Sequence, residues 1–302
     1  MRTLLLVLAL AAPSAAAQQP RRASPTAPAA SLDEYVARGV RDWEVPGLAL
    51  AVVKGDSVVF LAGYGVREQG RRDRVDGHTL FAVGSTTKAM TAAALGMLAD
   101  EGKLRWDDPV ADHLPWFRVA DPYVTRELTV RDLLTHRAGL GNADLLWAGS
   151  DYSTRQILAR VRHARPAYSL RSSFIYQNIM YAAAGEVVAQ TAGMSWADFV
   201  RTRLFEPLGM RRTLPTAAAL ARQENVASPH LRIDDTIRVI TNRSVDAIPA
   251  AGAVWSSAHD MARWLRFVLD SGRADGRAGG RTLLKPATVG DLLSPQALVP
   301  AS

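Results

Sequence analysis

Ser85-Thr86-Thr87-Lys88 and Tyr176-Gln177-Asn178 are the stretches whose residue types and spacing fit chemistry. A serine hydroxyl becomes a strong nucleophile when a neighbouring group takes its proton. A lysine three residues further along a helix shares the serine's face. Burial can lower the lysine pKa until the neutral amine serves as a base, whereas arginine stays protonated. Of the chain's 36 basic residues only Lys54, Lys88, Lys103 and Lys285 are lysine, so a lysine beside a serine stands out. A serine beside a lysine at a positive helix end is a candidate for acyl transfer without histidine. Tyr176 and Asn178, two residues apart, open a second small-residue stretch.

Simpler roles also fit. Ser85 can be an N-cap and Lys88 a solvated charge. Tyr176 can be a core ring with a bonded hydroxyl, and Asn178 another N-cap. The elements around them favour the chemical reading. Met90, Ala93, Ala94, Met97 and Leu98 fall on one helical face, and Gly84 and Gly102 punctuate that helix. Ser85 therefore sits at its start, where unpaired N–H groups point outward. A second small-residue helix runs from Ile179 to Thr191 and ends at Gly193. Two such helices can approach closely and bring Tyr176 beside Ser85 and Lys88.

A chain of 302 residues with 48% hydrophobic and 22% charged residues can bury a large core. The charge of +7 raises the question of nucleic acid, but the arginines are scattered and form no basic stripe interleaved with aromatics. No nucleic-acid partner is expected. Zero cysteines exclude disulfides and thiol catalysis. The six histidines show no metal-ligand spacing, so neither metal nor cofactor is expected. Met1-Arg2, the apolar run Leu4–Leu10 and Ala15-Ala16-Ala17 read as a signal peptide over residues 1–17, cut before Gln18. The expectation is an exported protein, periplasmic or extracellular, with no transmembrane segment after cleavage. Residues 18–30 read as a disordered leader.

Along the chain, Ser31-Leu-Asp-Glu34 reads as a capping box opening a helix through about Trp43. Leu48–Lys54 and Val58–Val66, joined by Gly55-Asp56, read as an antiparallel hairpin. Gly63, Gly65 and Gly70 read as a twisted strand end and not as a nucleotide loop. Thr129–Leu134 starts a helix with His136 at its C-terminus, where the imidazole favours the helix dipole. Further helices are expected over Thr154–Arg165 and Ser195–Phe205, with a β excursion within Ala219–Arg243. A last helix, capped by Ser256-Ser257, points Met261, Leu265, Val268 and Leu269 inward. Gly272–Gly280 reads as a polar loop.

With these motifs in place, the chain resembles the class C β-lactamase-related serine hydrolases, a family of β-lactamases, D-Ala-D-Ala peptidases, D-aminopeptidases and esterases. The resemblance rests on Phe81–Lys88, Leu133-Leu-Thr-His136-Arg-Ala-Gly139-Leu140, Tyr176-Gln-Asn178, Phe205-Glu-Pro-Leu-Gly209-Met210, Pro249-Ala-Ala-Gly252 and Ser256–Trp264. It covers about residues 31–300. It implies a mixed α/β (α+β), β-lactamase-like fold, with an antiparallel sheet flanked by helices and a mostly helical region. Residues 31–110 and 245–302 would form the α/β part and residues 111–244 the helical part, with the site between them.

The resemblance further implies that Ser85 is the acylated nucleophile and that Lys88 accepts or shuttles its proton. Tyr176 would protonate the leaving group and activate water, which leaves open whether Lys88 or Tyr176 is the general base. Asn178 would bind the substrate, and the Ser85 N–H would be half of the oxyanion hole. The family's third motif, Lys or His followed by Thr/Ser-Gly, is not found after Tyr176. The expectation is a chain that stops before the closing C-terminal strands. The function expected is a serine hydrolase acting on esters, amides or D-amino-acid peptides, a small-molecule or peptide substrate in each case. The alternative is a non-catalytic or truncated relative that binds peptidoglycan-like peptides. Oligomeric state is not readable from the sequence.

Overall fold

The computed structural model describes residues 29–274 and 280–299. The expected signal peptide lies outside them, as do all of the expected leader but Ala29 and Ala30 and most of the Gly272–Gly280 loop. Ala29 and Ala30 are helical, within a first helix spanning Ala29–Asp42. This corrects two expectations. Alanine is the best helix former, so the helix starts ahead of Ser31, and Ser31-Leu-Asp-Glu34 lies inside its first turns instead of capping it.

The hairpin consists of β1, Gly47–Lys54, and β2, Ser57–Gly65. They pair antiparallel from Gly47 opposite Gly65 to Lys54 opposite Ser57, with a bulge at Val52/Val53. Gly63 and Gly65 lie toward the end of β2, and Gly65 has a left-handed backbone, φ 71°. A Cβ on Gly63 would stand 2.4 Å from the Val75 carbonyl oxygen, and one on Gly65 2.1 Å from that of Pro46. Among the described residues β1 has β2 as its only strand partner. A short pair, β3 (Phe81–Ala82) and β6 (Trp255–Ser256), ties the chain just before Ser85 to a segment 170 residues later. The β excursion is the hairpin of β4, His230–Ile233, and β5, Thr236–Val239.

The core is built on two helices. The central helix spans Thr87–Asp100 and is preceded by a 3-10 turn over Gly84–Thr86. It is buried almost all round, from Thr87 and Lys88 to Leu98. Ser85 therefore lies in the tight turn that leads into the helix. The second helix spans Asn178–Ala192 and is likewise buried on most sides. It ends at Gly193 in the left-handed conformation, φ 68°, which glycine adopts without steric cost. Asn178 is its first residue, and Gln177 is the N-cap.

Between these helices the chain runs through short turns. The helix expected at Thr129–Leu134 is only a 3-10 turn at Arg131–Leu133. That over Thr154–Arg165 stops at Arg160 and tightens into 3-10 geometry through His163. Trp196–Val200, capped by Ser195, widens into a π-turn to Phe205.

The helix Ala258–Leu269 is capped by Ser257; Met261 and Val268 pack against the core as expected, but Leu265 and Leu269 do not. Asp260, Ala262, Trp264 and Phe267 are the buried residues, while Leu265 and Leu269 are 43% and 59% exposed. Two apolar stripes share this helix. One enters the core. Leu265, on the other, lines an open groove with Leu48 and Leu50 of β1 and with Phe81, and Met261 borders both groove and core. A further helix, Pro286–Leu293, packs on the central helix, with Leu284, Thr288 and Leu292 against Gly96. Its signal, a proline at the first helical turn, was present in the sequence.

Candidate active site

All four candidate side chains, Ser85, Lys88, Tyr176 and Asn178, meet at the Ser85 oxygen or the Lys88 amine. The Tyr176 hydroxyl donates to Ser85 Oγ over 2.5 Å. Lys88 Nζ donates to Ser85 Oγ at 3.1 Å, to Asn178 Oδ1 at 2.8 Å and to the Ala251 carbonyl oxygen at 2.8 Å. The ammonium also lies 4.7 Å from the Tyr176 ring centroid and 5.2 Å from that of Tyr181. Ser85 is exposed while Lys88 is 7% exposed. This is the division that acyl transfer needs, an accessible nucleophile on a desolvated amine.

Burial lowers the Lys88 pKa from its ordinary value, and the neighbouring Tyr176 and Asp144 oppose that shift. The amine is thus pushed toward the neutral form that can accept a proton. Its three acceptors hold it in place. Two come from elements distant in sequence, the second helix and the segment Pro249–Gly252. That segment is also stitched to the central helix by Thr91 Oγ1, which donates to the Ala250 carbonyl oxygen at 2.7 Å. Next to it, Thr87 Oγ1 accepts from the Val254 N–H at 3.3 Å.

Tyr176 is positioned by a different set. The segment before it lies along residues 136–140. The Arg171 N–H donates to the Arg137 carbonyl at 2.7 Å, and the Ile175 N–H to that of His136 at 3.0 Å. The Gln177 side-chain amide donates to the Leu140 carbonyl. Arg171 has a left-handed backbone, φ 64°, and grips the buried Asp132 at 2.6 Å. The bend leading to Tyr176 is thereby fixed by a charge-assisted bond.

His136 takes a role other than the one expected. It follows a 3-10 turn with φ 59°, and its ring is 9% exposed. The ring lies 4.6 Å from that of Tyr176, between it and Phe174 and Tyr181 at 5.4 Å each. Nδ1 accepts the Gln177 N–H at 3.0 Å, so the proton sits on Nε2. Burial, with Lys88 nearby, pushes its pKa down to about 4. The imidazole is a neutral prop under Tyr176 and not a charged partner of a helix dipole.

Two groups in the site were missed by sequence reasoning. The Ala251 carbonyl is a main-chain acceptor and leaves no side-chain signal. Asp144 accepts from Asn178 Nδ2 at 3.1 and 3.3 Å and from Trp147 Nε1 at 2.9 Å. It sits in an irregular stretch where no spacing marks it. Among the described residues no group of His, Asp or Glu could hold a metal ion. None of their helices is long and apolar enough to cross a membrane.

Two small-residue helices, short antiparallel strands and a serine at the mouth of the central helix define the β-lactamase-like fold. The chain belongs to the beta-lactamase family, whose model matches residues 32–298. It is 35% identical to penicillin-binding protein 4 of Amycolatopsis lactamdurans, over 76% of this chain and 61% of that protein. It is 28% identical to the unguisins hydrolase ungD of Aspergillus violaceofuscus, over 79% of this chain and 44% of that one. The chain spans about half the length of the curated relatives it matches. Among solved structures, the octameric penicillin-binding protein homologue from Pyrococcus abyssi superposes with a TM-score of 0.73 at 23% identity. That match covers 86% of this chain and 59% of the other. The D-alanine carboxypeptidase AmpC from Burkholderia cenocepacia gives 0.68 at 23% identity, over 87% and 69%.

Proposed function

We propose that this chain is an exported serine hydrolase that works through an acyl-enzyme on Ser85. The observation that carries the reading is the convergence of the Lys88 amine and the Tyr176 hydroxyl on Ser85 Oγ. In the first half-reaction Ser85 Oγ attacks the substrate's carbonyl carbon while its proton passes to Lys88 Nζ or to a Tyr176 phenolate. The C–O bond to serine forms, and the bond to the leaving nitrogen or oxygen breaks as Tyr176 returns a proton to it. Water then repeats the sequence in reverse and frees Ser85. The Ser85 N–H, in the turn before the central helix, supports the negative oxygen of the tetrahedral intermediate. Asn178, bonded to Lys88, orients the amine and presents its edge to the substrate.

The substrate class is an ester, amide or D-amino-acid peptide. The names of the relatives, a hydrolase of unguisins and a penicillin-binding protein, support this. Export is supported by the residue pattern of Met1–Ala17. A fluorescent penicillin and a fluorophosphonate, followed by peptide mass mapping, test the assignment. An adduct on Ser85, with turnover of p-nitrophenyl acetate, supports it. Acylation without turnover fits a peptide-binding relative, and a stable adduct on another serine sinks it. A mature mass beginning at Gln18 checks the export reading.

A further inference from the structure

Asn178 has an amide whose two ends make opposite demands. Its Oδ1 must face Lys88 to accept the ammonium's hydrogen bond, and its Nδ2 must then find an acceptor elsewhere. That acceptor is Asp144, with both carboxylate oxygens within 3.1 and 3.3 Å of Nδ2. Asp144 is itself fixed. Trp147 Nε1 donates to Oδ1 at 2.9 Å, Asn142 Nδ2 to Oδ2 at 3.3 Å, and the Asp144 N–H donates to Asn142 Oδ1 at 3.0 Å. A flipped Asn178 would set its NH2 against the Lys88 ammonium and its oxygen against the carboxylate, two repulsive contacts in place of two hydrogen bonds.

We propose that Asp144 is a positioning residue for acylation, acting through Asn178 to fix which end of that amide Lys88 meets and to place a carboxylate behind it. The inference rests on the acyl-enzyme reading for its catalytic meaning, but the coupling of Asp144 to Lys88 stands on the geometry alone. Asp144 is therefore expected to set both the orientation of the Lys88 amine and the pH at which it becomes neutral.

The groups facing Lys88 are Ser85, Tyr176, Tyr181, Asn178 and the Ala251 carbonyl, with Asp144 behind Asn178 and the imidazole of His136 nearby. Asp144 is the carboxylate that favours the charged amine. Replacing it by a neutral group disfavours the ammonium, so the Lys88 pKa falls. The ascending limb of the acylation profile then moves to lower pH, while the plateau drops because Asn178 loses the charge-assisted bond that holds its amide in one orientation. A merely structural role would lower the plateau and leave the limb in place.

The test uses the full chain with 13C at lysine Cε, in which only Lys54, Lys88, Lys103 and Lys285 contribute signals. Lys88→Ala assigns the buried one. Asp144→Asn is expected to lower the Lys88 pKa by about one unit and Asp144→Glu to restore most of it. Trp147→Phe breaks a bond within the Asp144 stretch but keeps the carboxylate, so the Lys88 titration should stay at its wild-type position. Fluorophosphonate acylation of Asp144→Asn should be slower by at least about tenfold at its plateau, with its ascending limb shifted as the titration is. An unmoved Lys88 titration in Asp144→Asn, or an equal shift in Trp147→Phe, overturns the inference. Absence of any Ser85 adduct on the wild-type chain fails the acyl-enzyme reading alone, since the titration still decides the Asp144 coupling.

Discussion

Gly185 and Ala250 meet so closely that a Cβ on Gly185 would stand 2.5 Å from that of Ala250. The second helix thereby seats the segment that presents the Ala251 carbonyl to Lys88. Gly185→Ala is expected to destabilise the fold by about 1–3 kcal/mol through overpacking. Ala250→Gly in the same chain should recover part of that loss, because the two substitutions act on one contact. Urea unfolding of the single and double variants measures this; simple additivity would show that the contact is not the cause.

Ser85→Ala removes the oxygen on which Lys88 and Tyr176 converge. Covalent labelling should vanish while the melting temperature stays near the wild-type value, because an exposed hydroxyl contributes only about 1 kcal/mol. Intact mass after fluorophosphonate treatment, with a thermal scan of the same sample, reads both.

Lys88→Arg should be as damaging to acylation as Lys88→Ala. The guanidinium keeps the charge but cannot accept a proton at working pH, and it must fit a site shaped around three acceptors of an ammonium. If the arginine variant retained more than about a tenth of the wild-type rate, an electrostatic role would replace the proton-transfer role.

His136 predicts a loss of stability in mild acid. Its folded pKa of about 4 lies below the ordinary 6.5. Between those values the unfolded chain binds more protons, so stability falls as pH drops through that window and the effect saturates below about 4. The full effect is on the order of 3 kcal/mol. Protonation also places a second N–H on Nδ1, against the Gln177 N–H that it now accepts. His136→Asn tolerates the left-handed backbone and should flatten the dependence of denaturation midpoint on pH between 7 and 4. A parallel curve for variant and wild type would remove His136 as its source.

The groove between β1 and the helix Ala258–Leu269 should make the chain self-associate. Among the described residues the β1 edge away from β2 has no strand partner, and beside exposed Leu265 it invites pairing with another copy. Leu265→Lys should raise the concentration at which light scattering appears; an unchanged onset would place the contact elsewhere.

Much of this molecule was legible in the residues. Glycine and proline punctuation placed the β1–β2 hairpin, and small-residue runs placed both core helices. The motif pairs brought Ser85, Lys88, Tyr176 and Asn178 forward, and the fold sets them in contact. What stayed hidden has physical causes. Helices near Thr129 and Thr154 shorten because local 3-10 geometry, set by tertiary packing, wins over periodicity. The Ala258–Leu269 helix has two apolar stripes, and periodicity alone does not say which one the core takes. His136 sits where a dipole partner would, but a buried ring among three aromatics is held neutral by desolvation.

The hydrogen bond from Lys88 to the Ala251 carbonyl gives the site a part that side-chain genetics does not reach. A scan of every codon would report the buried Ala250 and Ala251 as intolerant of bulk, and a reader of that scan would infer packing. The oxygen itself persists through every substitution at position 251. Weakening it calls for chemistry on the main chain: an ester in place of the amide between Ala251 and Gly252 would leave the shape nearly intact and make that carbonyl a poorer acceptor. The Lys88 amine would then lose part of one anchor with its side-chain neighbours unchanged, separating what the backbone does for it from what the side chains do.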